Sequence, residues 1–127
     1  MKPLQESDIR PEVLYGRTFK VKTSCGNCYV TINRLGEGEG GSIVEVFATH
    51  GKAGGCQASF LEGMTRVISI ALRAGVDVKR IIKTLQGVRC PSPFWGNTYI
   101  TEHLILSCTE AIARLLQMEV SLGEERK

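Results

Sequence analysis

The stretch TSCGNCYVTI, residues 23–32, sets two cysteines three positions apart, directly ahead of a run of strand formers. Three more cysteines follow. Cys56 comes after two glycines, Cys90 stands just before a proline, and Cys108 follows Ser107. Thiolates bind soft metals, attack electrophiles and form disulfides, so these residues carry the chemistry most open to this chain. A single CxxC is compatible with half a metal site, a redox pair, or one functional thiol beside one packed thiol. Only a second CxxC would make it a strong zinc signal, and the sequence has none.

Other chemistry is weaker or absent. His50 and His103 are each candidate ligands, although a lone histidine is more often a satisfied surface group. Asn27, two residues after Cys25, could orient a ligand or stabilise a turn. Gly36, Gly38 and Gly41 match GxGxxG formally, but a strand rather than a helix follows, and Glu37 and Glu39 would repel a pyrophosphate. That segment reads as a hairpin loop. There is no GK[ST] phosphate loop and no paired-carboxylate arrangement.

The elements that must position the cysteines follow from periodicity. Residues 18–23, 28–33 and 42–49 alternate or are rich in β-branched residues, which predicts three strands. Cys28 shares a face with Val30 and Ile32 and is expected in the core as a small apolar group. Residues 56–75 change to helical spacing, with Phe60, Leu61, Met64, Val67, Ile68, Ala71 and Leu72 as the expected inward face and Gly75 as the stop. Asp77 caps a short second helix that ends at Gly87. VRCPSPFWGN reads as a proline-containing loop. Ser107 and Glu110 form a capping box ahead of a last helix with Ala111, Ile112, Leu115 and Leu116 on one face.

Strands first and helices afterwards predict an α+β fold: a small antiparallel three-stranded sheet followed by three helices packed on one face. Residues 1–16 are expected to form an extended arm or linker, 17–118 a single domain, and 119–127 a charged, frayed tail. In this layout Cys25, Cys56, Cys90 and Cys108 all fall at element ends, and Cys56 and Cys108 open helices. The partial positive charge of a helix N-terminus favours a thiolate.

Composition bounds the partners. The chain has 127 residues, 43% hydrophobic and 23% charged, with 16 basic and 13 acidic residues for a net charge of +3. The basic residues are scattered and aromatics make up 6%, which argues against a nucleic-acid surface. No apolar run reaches the ~20 residues of a membrane helix. The polar N-terminal stretch does not read as a signal peptide. A cytoplasmic location is therefore expected, with the five cysteines as thiols, metal ligands or redox groups rather than a disulfide framework.

Four segments carry a family resemblance: GRTFKVKTSCGNCYVTIN, EVFATHGKAGGCQAS, ALRAGVDVKRIIKTLQGVRCPSP and LSCTEAIARLL. In order and spacing they resemble the TSCPD domain, the C-terminal domain of adenosylcobalamin-dependent (class II) ribonucleotide reductases. The likeness covers about residues 11–117. The naming motif reads LSCTE, with Leu106, Thr109 and Glu110 in place of Thr, Pro and Asp. Cys28 stands where the family commonly has an apolar residue. The family's recurring cysteines fall on Cys25, Cys56, Cys90 and Cys108. A fainter pattern is similar to iron–sulfur cluster scaffold proteins, in which three cysteines and a carboxylate hold zinc or a nascent cluster. Asn27 would stand in the carboxylate's place, so a further thiol such as Cys90 would complete such a set.

The resemblance implies a metal-binding accessory domain or subunit of a ribonucleotide reductase in deoxyribonucleotide synthesis, inactive alone. Cys25, Cys56, Cys90 and Cys108 would be its ligands and zinc the favoured metal. Cobalamin would enter only through a partner reductase. An iron–sulfur or thiol-redox carrier, or an interaction domain with packed thiols, are the alternatives. Homo-oligomerisation is compatible with the sequence.

Overall fold

A computed structural model describes residues 9–23, 26–36, 40–51, 55–91, 93–95 and 104–125. The strands β1 (Tyr15–Thr23), β2 (Gly26–Arg34) and β3 (Ile43–His50) form one antiparallel sheet in the order β1-β2-β3. The helices are α1 (Cys56–Arg73), α2 (Val78–Leu85) and α3 (Cys108–Glu125). Between α2 and α3, β4 (Phe94–Trp95) pairs with β5 (Leu104–Ile105). The expected α+β arrangement is present, with strands longer than alternation alone suggested. β1 starts at Tyr15, inside the stretch expected to be an arm.

Alternation sets the sheet's faces. Phe19, Val21, Cys28, Val30, Ile32, Val46 and Ala48 are buried together. Their register, Phe19↔Val30↔Ala48 and Val21↔Cys28↔His50, places His50 beside Cys28 at one end of the sheet. α3 packs on β2 through a core that includes Ala111, Ile112, Leu115 and Leu116, and α2 packs on α3. Each fully buried isoleucine or leucine among them contributes about 1.5–3 kcal/mol of transfer free energy.

α1 lies along β3 and departs from the expected face. Leu61, Ile68 and Leu72 are buried as expected, but so are Thr65 and Ser69, whereas Phe60 is 76% and Val67 67% exposed. The reason is polar. Ser69 Oγ accepts the Val46 N–H at 3.0 Å and lies 2.9 Å from the Val46 carbonyl, so a serine serves the backbone of an edge strand that would otherwise lack a partner. Thr65 Oγ1 donates to Leu61 O at 2.8 Å within the helix.

α3 also differs from expectation. It runs through Glu125 instead of ending near residue 118, and Glu119 is 2% exposed. Glu119 Oε2 lies 3.0 Å from Arg34 Nη2, and Glu119 Oε1 accepts from Arg17 Nε at 2.8 Å. The charged tail therefore contains an inward carboxylate paired to β1 and β2. A second buried carboxylate, Glu45, accepts from Asn33 Nδ2 at 2.7 Å and pairs with Arg10 at 2.6 Å, which brings the segment before β1 onto the sheet. Among the described residues, no helix is long and apolar enough to cross a membrane.

Candidate metal centre at the end of the sheet

Cys108 is the first residue of α3 and is 8% exposed. Its position is fixed by the cap before it. Ser107 Oγ accepts the Glu110 N–H at 3.0 Å and donates to Val88 O at 2.6 Å. The Glu110 carboxylate accepts from Leu106 N at 3.2 Å and from Gly87 N at 3.1 Å. The capping pair foreseen in the sequence thus forms on the serine side. The glutamate reaches one residue further back than a capping box would, and also holds the loop after α2. The acidic position of the LSCTE motif ties the last helix to that loop.

The loop carries Cys90. Its backbone N–H donates to Leu106 O at 2.9 Å, so Cys90 is held against the segment two residues ahead of Cys108. Cys56 opens α1 after Gly55, whose φ of +90° is a conformation other residues rarely adopt. Gln57 Nε2, from the same first turn, lies 3.9 Å from the Cys108 sulfur. Cys56, Cys90 and Cys108 line one cavity of about 380 Å³, walled on its apolar side by Phe60, Leu61 and Met64.

Two further groups reach Cys108 from the sheet. Thr23 Oγ1, at the end of β1, is 3.5 Å from its sulfur and also donates to Gly26 O at 2.9 Å. His50 Nε2, at the end of β3, is 3.8 Å from the same sulfur. Cys108 is thus approached by the ends of β1 and β3 and by the first turn of α1. It also opens α3, whose first-turn N–H groups lie beside it.

Cys28 has another character. It is fully buried among Val21, Val30 and Ile32. Burial, with a smaller push from Cys108, raises its thiol to about 12. It stays protonated at neutral pH and serves as a core group, as its strand face predicted.

Of the four cysteines singled out in the sequence, the structure gathers Cys56, Cys90 and Cys108 around one cavity; Cys25 lies outside the described residues, as does His103. Cys56 is exposed and Cys90 half-buried. Among the described residues, no three His, Cys, Asp or Glu side chains are grouped closely enough to hold an ion. A ligand set therefore needs Cys25, or a turn of Cys56 and Cys90 into the cavity they line. The donor chemistry of the cavity is that of a soft or borderline divalent ion: sulfur donors beside an apolar wall, with no carboxylate among the described lining residues. The approach of His50 to Cys108 was not read from the sequence. It depends on the β2–β3 register, for which the position of His50 at the end of a strand was the only local sign.

The sequence profile of the TSCPD domain matches residues 2–120, nearly the whole chain. No curated protein and no solved structure gives a significant match.

Proposed function

This chain belongs to the TSCPD domain family, whose members are associated with ribonucleotide reductases, and we propose that it is a metal-holding accessory module of such an enzyme with no turnover of its own. The observation that carries this reading is the cavity shared by Cys56, Cys90 and Cys108, which come from three separate parts of the fold. Cys25, outside the described residues, is the fourth candidate thiolate. Zinc is the favoured ion, because it has no redox chemistry and takes tetrahedral thiolate sites. Cobalamin belongs to the partner reductase, of the class II type that the sequence resembles.

The role of the ion would be structural. It would fasten the start of α1, the loop after α2 and the start of α3 around the end of the sheet. Metal-binding free energy is then also folding free energy, so losing one ligand loosens the whole module. The surface fixed in this way would dock on the reductase. A thiol relay through the CGNC pair is disfavoured, because Cys28, buried and held near 12, supplies no thiolate.

Elemental analysis of protein purified without chelators tests the reading, together with Cys25→Ser, Cys56→Ser, Cys90→Ser and Cys108→Ser variants. One zinc per chain is expected. It should be lost in Cys108→Ser and in at least two of the other three. Metal-free wild-type protein, or full occupancy in all four variants, overturns it. A brown, oxygen-sensitive protein containing iron and sulfide would replace zinc by a cluster on the same thiols.

A further inference from the structure

We propose that the outer face of α1 is a dimer interface, on which the α1 of a second copy of this chain packs antiparallel. The inference stands apart from the metal reading and needs no ion. α1 buries Leu61, Thr65, Ile68, Ser69 and Leu72 against the rest of the chain. Phe60, Gly63, Val67, Ile70 and the cap residue Ala74 stand on the opposite side, all of them exposed, Ile70 at 50%. Their spacing alternates between three and four residues, the period of a helix-pairing seam. Met64 and Ala71, both half-buried, widen the stripe along one flank.

Gly63 sits inside the helix, and a Cβ built on it meets nothing within 4 Å. Nothing among the described residues requires a glycine there, yet glycine weakens a helix interior relative to alanine. What it permits is the close approach of a second backbone. Helices that cross lie nearest at the crossing point and part on either side of it. An antiparallel two-fold pair centred between Gly63 and Val67 sets each Gly63 against Val67 of the second copy at that point. It sets Phe60 against Ile70 of the second copy where the helices part. The smaller residues thus fall in the narrow gap and the larger ones in the wide gaps. One stripe supplies both halves of the contact, as a two-fold interface requires.

Charge and area favour a second copy over a charged partner. The charged side chains of α1 are Glu62, Arg66 and Arg73, and none belongs to the stripe. Arg66 pairs with Glu62 at 2.6 Å and Arg73 with Glu45 at 3.5 Å, so each has its counter-charge inside the chain. The stripe offers nothing to select an acidic or basic surface and suits one as apolar as itself. Phe60, Val67 and Ile70 alone leave roughly 300 Å² exposed, comparable to the largest apolar patch of a typical monomer. Two copies covering the stripe and the stems beside it bury on the order of 1,200 Å² in total, the lower bound of specific, stable interfaces. That size fits a reversible dimer.

The test uses the full chain with reductant and chelator present, so that neither a disulfide through the exposed Cys56 nor a bridging metal joins two copies. Sedimentation equilibrium from low to high micromolar concentration should show a monomer–dimer equilibrium. Val67→Glu, at a position exposed within one chain, should weaken the dimer by more than about tenfold. Urea unfolding of the dilute, monomeric chain should be unchanged by it. Val13→Ser, at an exposed apolar residue ahead of β1, should leave the dimer as it is. Mixing Gly63→Lys protein with Val67→Glu protein tests the orientation. In the antiparallel register the new cation of one chain faces the new anion of the other, so the mixture should associate more tightly than either variant alone. A wild-type chain that stays monomeric through the high micromolar range overturns the inference and leaves the stripe to a different protein. A dimer insensitive to Val67→Glu also overturns it, by placing the contact elsewhere. If both variants weaken the dimer and their mixture is no tighter than either, the antiparallel pairing is wrong. None of these outcomes bears on zinc uptake, so the metal reading stands or falls separately.

Discussion

Glu110 Oε2 accepts the Gly87 backbone N–H at 3.1 Å, so the first turn of α3 grips the end of the α2 segment 23 residues earlier. The same carboxylate serves Leu106 N and pairs with Arg114 at 3.1 Å, while its own side chain is 7% exposed. Glu110→Ala leaves two backbone donors without this acceptor, at about 1–3 kcal/mol for a buried group. Urea unfolding should show that loss, and Glu110→Gln, which keeps one acceptor oxygen, should lie between. Unchanged stability in Glu110→Ala would remove the carboxylate from its place in fixing Cys90 and Cys108.

Cys28→Val should fold normally, keep any bound metal and cost at most about 1.5 kcal/mol as a near volume-conserving core change. The pH dependence has a definite sign. The folded thiol sits near 12, above its ordinary value of 9.0. Below 9.0 both states are protonated and stability is unaffected. Between 9.0 and about 12 the unfolded chain loses the proton first, so stability falls as pH rises. Unfolding curves from pH 8 to 11 should therefore decline less steeply in Cys28→Val than in wild type, and equal slopes would contradict the burial argument.

The sequence made several of these relationships legible, each through a local rule. Alternation at Cys28, Val30 and Ile32 marked the core face of β2. Asp77 is the N-cap foreseen, accepting from Lys79 N at 2.9 Å. Ser107 likewise caps α3. The misreadings share a cause. Hydropathy assigned Phe60 and Val67 inward and ignored Thr65 and Ser69, because it cannot register a hydroxyl that satisfies an edge strand 23 residues away. It assigned Glu119 to a frayed tail because a charge reads as exposed until its arginine is located. The β4–β5 pairing is two residues long, too short for any periodicity. For the centre, element ends brought four thiols to notice, three of which line the cavity, whereas the approach of His50 to Cys108 depended on strand register.

Glu119 leads to a prediction about where the folded unit ends. Its carboxylate meets Arg34, whose side chain is 6% exposed, and Arg34 Nη2 also donates to the Glu119 backbone carbonyl. Glu119→Ala strands a buried guanidinium, which costs about 3–5 kcal/mol when one partner of a buried pair is removed. The double change Arg34→Met with Glu119→Leu should recover most of that loss. Truncation after Gln117 should resemble Glu119→Ala or exceed it, since Val120 is buried as well. Denaturant melts of the four proteins check this, and a truncated chain of wild-type stability would restore the frayed-tail reading.

Thiol accessibility gives the last prediction and joins the fold to the proposed centre. Cys56 is exposed, Cys90 half-buried, and Cys28 and Cys108 buried. Alkylation of the native, metal-free protein at pH 7.5, read by peptide mass spectrometry, should modify Cys56 first and Cys90 more slowly. Cys28 should react only on unfolding, being both enclosed and protonated. Cys108 is buried, which excludes the reagent, so its rate should follow opening of the cavity. Saturating zinc should then slow at least one of Cys56 and Cys90 together with Cys108, because a thiolate on the metal is withdrawn from the reagent. Protection of Cys108 alone would confine the ion to the sheet side, beside His50 and Thr23. Rates unchanged by zinc at all three would separate the shared cavity from metal binding and leave these thiols as packing groups around a docking surface.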